Sequence, residues 1–171
     1  MKDLIIVDGY NFIFKYHKAR KISNEKLSYI RDKLIHELVQ YRNYTSTNII
    51  VVFDGRNIEN IEGIKQNIDK IRVIYSGSGG TADAAIEKLI YNKKGYDRIF
   101  VVTSDYVQQK VVFRDNIYRK SIREFAIELE KSKRELKKKI EKNKSDAERT
   151  FYTLEKRLNS KSKDKLLKII K

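Results

Sequence analysis

A chain of 171 residues with 40% hydrophobic residues can bury a core of its own, and no apolar run reaches the roughly 20 residues a membrane span needs. Cysteine is absent, which excludes a disulfide framework, a thiolate zinc site and a cysteine nucleophile, and leaves carboxylates and two histidines as candidate metal ligands. The formal net charge of +15 is unevenly spread: residues 131–171 carry 16 Lys or Arg against 6 Asp or Glu, and residues 1–130 carry 22 against 17, so a basic segment suited to a polyanion closes the chain. MKDLIIVD enters a strand at once, without the apolar stretch and small-residue cleavage site of a signal peptide, so a cytoplasmic protein is expected.

Continuous runs rich in Ile, Val and Phe predict buried parallel strands at 3–7, 48–53, 71–75 and 98–103. Between the first two, Leu27, Ile30, Leu34, Leu38 and Tyr41 recur at helical spacing behind a cap at Ser23 or Asn24, which makes a βαβ unit. VDGYN, at the end of the first strand, reads as a strand-to-loop turn in which Gly9 permits close backbone approach. Residues 54–70 read as a polar, irregular loop. Thr81 is placed to cap a helix that turns Ala85, Leu89 and Ile90 inward and stops at Lys94 and Gly95. A short helix is expected from Asp105, a small fifth strand at Ile117 and Tyr118, and a capping box of Ser121 and Glu124 opening a long helix with Ile122, Phe125, Ala126 and Leu129 inside. Beyond residue 130 the apolar stripe thins to Leu136, Ile140, Ala147, Phe151, Leu154 and Leu158, in one long or two shorter helices, and Leu166 to Ile170 suggest a final docking turn. The expected organisation is an α/β domain over 1–128 and a basic helical extension over 129–171.

Four acidic residues stand where this pattern ends strands or opens a helix: Asp8, Asp54, Asp105 and Asp83. An open parallel sheet gathers ligands outside the carboxyl ends of its strands, and converging carboxylates are relieved by a hard divalent cation, Mg²⁺ or Mn²⁺. Each residue also has a plainer reading. Asp8 and Asn11 satisfy turn backbone, Ser104 or Asp105 caps a helix, Asp83 complements a helix dipole, and Glu87 pairs with a surface lysine. SGSGG at 76–80 lacks both the GK[ST] ending of a Walker loop and a GxGxxG fingerprint, so it reads as an entrance loop. His17 and His36 lack zinc-pair spacing and receive no chemistry. Tyr10 and Tyr106, beside the candidate ligands, are candidates for stacking on a base.

Taken together and in order, VDGYN, VVFDG, TADAAIEKL and VTSDY resemble the YacP-like branch of the NYN domain family, relatives of the PIN nucleases, over roughly residues 3–125; RKSIREF at 119–125 resembles it too. The resemblance implies a PIN-like open, mainly parallel sheet flanked by helices, and a metal-dependent endoribonuclease that cuts mRNA in association with the ribosome, without a small-molecule cofactor beyond the metal. It points to Asp8, Asp83 and Asp105 as the acidic, metal-holding centre and to Asn11, Asp54, Thr103 and Ser104 as supports. Arg119 and Lys120, with Lys137, Lys138, Lys139, Lys142 and Lys144 in the tail, are the basic RNA-binding candidates. The competing class is an RNA- or ribosome-binding module of the same fold that does not catalyse. A haloacid-dehalogenase-type phosphatase is disfavoured, because Tyr10 stands where that chemistry needs a second Asp. A response-regulator receiver is disfavoured by the lack of paired acids after the first strand.

Overall fold

In the computed structural model, residues 2–16, 23–55, 64–77, 80–92, 95–104 and 116–157 are described. The apolar runs form the strands β1 (Asp3–Asp8), β2 (Asn48–Phe53), β4 (Ile71–Tyr75) and β5 (Arg98–Val102), and β6 (Ile117–Lys120) extends the expected two-residue fifth strand to four. Within residues 54–70, read from sequence as loop, lies a further strand, β3 (Lys65–Ile68). All belong to one six-stranded sheet of order β3-β4-β2-β1-β5-β6, parallel except for β3, which runs antiparallel to β4 at one edge.

β1 is central because both of its faces are apolar: Ile5 and Val7 enter the core on one side, Leu4 and Ile6 that on the other. The helices α1 (Gly9–Tyr16), α2 (Asn24–Thr45) and the start of α4 (Ile122–Arg157) cover the first side with Phe12, Ile13, Leu34, Leu38, Phe125 and Leu129. α3 (Ala82–Asn92) covers the other through Ala82, Ile86 and Ile90, with Ala85 and Leu89 partly buried beside them. From β1 the chain winds through β2 to β4 on one side, then crosses over through α3 to β5 and β6 on the other. The winding reverses between β1 and β5, and in a doubly wound sheet the crevice at that reversal is the usual ligand site.

The expected caps form. Ser23 caps α2 by accepting from Lys26 N, Thr81 accepts from Ala84 N, and Ser121 and Glu124 bond each other's backbone N–H at the start of α4. VDGYN departs from the expected turn. β1 passes into α1 without a loop, and Asp8 caps the new helix by accepting the N–H of Asn11 at 3.2 Å.

The chain divides into two compact units, 1–133 and 134–171, and the division falls within α4. Residues 134–157 of the second unit are helical. The expected docking turn at 166–170 and the short helix from Asp105 lie outside the described residues.

Candidate active site

The carboxyl ends of β1 and β5 are joined by a polar cluster. Asp8 ends β1 with only 6% of its surface exposed, and its Oδ1 accepts from the first turn of α1, where the helix dipole favours a negative charge. Three residues further on, Asn11 reaches across to the end of β5. Its Nδ2 lies 3.5 Å from Thr103 Oγ1, and its Oδ1 accepts the Ser104 hydroxyl at 2.7 Å. Thr103 is fully buried, and its N–H also bonds Lys120 O, which ties this end of the sheet to β6. Asn11, Thr103 and Ser104 thus form one hydrogen-bonded layer beside Asp8, at the reversal point of the sheet.

A second pair joins the ends of β2 and β4. Ser76, buried immediately after β4, bonds back to Phe53 O, accepts the N–H of Gly55, and donates its hydroxyl to Asp54 Oδ1 at 3.4 Å. The sequence reading missed Ser76 because it opens SGSGG and was absorbed into the glycine-rich loop. The signal was its position as the first polar residue after the apolar run IRVIY.

Asp83 stands exposed in the first turn of α3, which follows the β4 end, and Glu87 is exposed one turn later. Asp105 and Tyr106 lie outside the described residues, as does His17; exposed His36 bonds Gln40 one helical turn away. Among the described residues no group of three or more His, Cys, Asp or Glu side chains is close enough to hold a metal ion. What the described cluster offers is an all-oxygen donor set, comprising the Asp8 carboxylate, the Asn11 amide oxygen and the Thr103 and Ser104 hydroxyls. That chemistry fits a hard divalent cation rather than a soft one.

Tyr10 is a correction. Its ring is 7% exposed and packs edge-on against Phe53 with centroids 5.1 Å apart, and its hydroxyl is buried with no hydrogen-bond partner among the described residues. Tyr10 is therefore a core residue, closed to a stacking base. Tyr75 also stacks on Phe53, with ring centroids 5.7 Å apart, and burial pushes its hydroxyl pKa up.

Of the basic candidates, Arg119 is exposed on β6, whereas Lys120 pairs with Glu128 at 2.8 Å. Lys137, Lys138, Lys139, Lys142 and Lys144 are all exposed on the helix of the second unit, where Lys138 also pairs with Glu135.

Comparison with known proteins decides the family. The sequence profile of the YacP-like NYN domain matches residues 5–171, nearly the whole chain. The chain belongs to the YacP-like NYN domain family. Among relatives, the YacP protein of Bacillus subtilis (strain 168) is 34% identical over 141 residues, which cover 82% of each chain. A crystal structure titled Rae1 (YacP) from Bacillus subtilis superposes with a TM-score of 0.72 at 31% identity, covering 91% of this chain and 89% of that one. The crystal structure of a point mutant of Rae1 gives 0.69 at 32% identity, covering 84% of each chain. The YacP-like NYN fold is therefore that of this protein, and its family is one of nuclease-type domains that act on RNA.

Proposed function

We propose that this YacP-like NYN protein is a metal-dependent endoribonuclease that cleaves mRNA in association with the ribosome, in the cytoplasm. The observation that carries the reading is Asp8: a buried carboxylate at the reversal point of a parallel sheet, in a layer of oxygen donors from Asn11, Thr103 and Ser104. That carboxylate stands where substrates of such sheets bind.

In this reading Asp8, Asp83 and Asp105 hold Mg²⁺ or Mn²⁺. Bound there, the ion supplies acidification of an attacking water and neutralisation of charge accumulating on the phosphate, so no histidine base is required. Asp8 keeps its orientation because the Asn11 N–H holds its Oδ1. Asn11 holds the Ser104 hydroxyl and meets Thr103, so these groups are ordered before substrate arrives. Asp54, held by Ser76, supports the same edge from β2. The exposed tail lysines supply attraction for RNA and for the ribosome, both polyanions.

The test is incubation of purified protein with labelled mRNA in EDTA, in Mg²⁺ and in Mn²⁺, with and without ribosomes. Cleavage within the chain of the RNA that needs the cation supports the reading, and ribosome-dependent enhancement supports the partner. RNA binding with no cleavage under any cation would instead identify a non-catalytic RNA-binding module.

A further inference from the structure

We infer that the Phe100–Tyr118 face of the β5–β6 edge is a stacking platform for a base of single-stranded RNA. β5 and β6 are paired so that Phe100 faces Tyr118 directly across the ladder, which puts both rings on one face of the sheet. The ring centroids are 5.5 Å apart at an interplanar angle of 31°, so the rings form one continuous aromatic surface. This is the face that α1, α2 and α4 cover nearer the centre of the sheet, yet Tyr118 is 46% exposed and Phe100 only partly buried.

Two cations lie over the Phe100 ring. The Lys120 ammonium lies 4.8 Å from the centroid of Phe100, and the Arg98 guanidinium 5.4 Å from it. Both are fixed in place, Arg98 by two hydrogen bonds to Asp3 and Lys120 by Glu128. Their charges are thereby largely balanced within the protein, and the face attracts through its rings more than through net charge.

With Phe100 backing it, the exposed Tyr118 ring suits a nucleobase, because any base offers a π-face and stacking tolerates sequence. The basic chain as a whole attracts the polyanion that would bring bases to this surface. Continuity with the acidic cluster supports the assignment. Phe100 stands three residues before Thr103 on β5, about 10 Å along the strand. A base held on Tyr118 belongs to the same short RNA segment that reaches Asp8. The inference rests on RNA being the ligand of this protein, though not on its being cleaved.

The measurement is fluorescence anisotropy of the full chain with a labelled single-stranded RNA in EDTA, so that cleavage does not intervene. Tyr118→Ala should weaken binding at least about five-fold, while Tyr118→Phe stays close to wild type. The slope of log affinity against log salt should be the same for Tyr118→Ala and wild type, because no phosphate contact is lost. An abasic oligomer of the same length should bind both proteins equally. Equal affinity of Tyr118→Ala and wild type for base-containing RNA overturns the inference, as does an equal loss on the abasic oligomer or the absence of RNA binding by wild type. Cleavage without any Tyr118 effect on binding overturns the platform alone, whereas a Tyr118 effect without cleavage overturns only the nuclease reading.

Discussion

Gly9 is held to hydrogen by its neighbour. A Cβ there would lie 2.3 Å from Phe53 Cε1 and 2.5 Å from Cδ1, and the Phe53 ring is fully buried. Gly9→Ala should therefore cost about 1–3 kcal/mol in urea denaturation, the usual range for overpacking. Asp3 gives a pH signature. Its hydrogen bonds to Arg98 hold its pKa below the ordinary 3.8, although partial burial opposes the shift. With the folded pKa depressed, the pair's contribution is fully present above the ordinary value and is lost as pH falls through the folded one. Arg98→Gln should thus lower Tm at neutral pH, and the difference from wild type should shrink on acidification below about pH 4. At this scale the polar residues that end strands were legible, because Asp8, Thr103 and Ser104 close otherwise apolar runs. Tyr10 was not. Its place beside Asp8 in sequence says nothing of the ring's direction, and α1 turns that ring inward onto Phe53.

The hairpin that joins β3 to β4 explains why an element stayed hidden. Ile68 pairs with Ile71, so the loop is two residues, and both Asp69 (φ 41°) and Lys70 (φ 71°) adopt positive φ. Such loops are usually announced by Asn-Gly or Asp-Gly, and here the second position is lysine. A non-glycine residue in the left-handed region costs roughly 1–2 kcal/mol, more than the roughly 0.4–1 kcal/mol of unfolded-chain entropy that glycine adds. Lys70→Gly should therefore raise stability by about 0.5 kcal/mol, measured by chemical denaturation. α1 was hidden for a different reason. Eight residues opening on glycine carry little periodicity, and the cap that starts the helix, Asp8, is also the last residue of a strand. The start of α4 was legible because its signals agree, and Ser121→Ala should cost about 1 kcal/mol by removing the cap on Glu124 N.

For the whole molecule, the alternation of apolar runs with helical periodicity was enough to predict a parallel α/β sheet, and burial tracks which strands lie inside it. β1 and β2, apolar between their ends and almost wholly buried, lie inside the sheet, whereas the short, polar β3 and β6 lie at its edges. Sequence could not supply distances between carboxylates, because residues brought to one sheet edge by topology are separated by tens of positions. The excess charge of the closing segment was legible from composition alone, and five of its lysines are exposed on the helix of the second unit. Replacing Lys137, Lys138, Lys139, Lys142 and Lys144 with glutamine should weaken binding to RNA or ribosomes and make log affinity less steep in log salt, since fewer counterions are released. Cleavage at saturating RNA should persist in that variant, because the acidic cluster is untouched.

The central claim is that carboxylates at this sheet edge cleave RNA with a divalent cation. It is tested most directly by the rate of endonucleolytic cleavage of a labelled RNA in Mg²⁺ and Mn²⁺ by wild type, Asp8→Asn, Asp83→Asn and Asp105→Asn. Asparagine keeps the shape and, at position 8, remains a good helix cap, so the fold should survive as judged by thermal denaturation. The account predicts cation-dependent cleavage by wild type and loss of most of it in each variant, with RNA affinity in EDTA little changed. Wild-type turnover in any two of the folded variants, or cleavage that persists undiminished in EDTA, would contradict it.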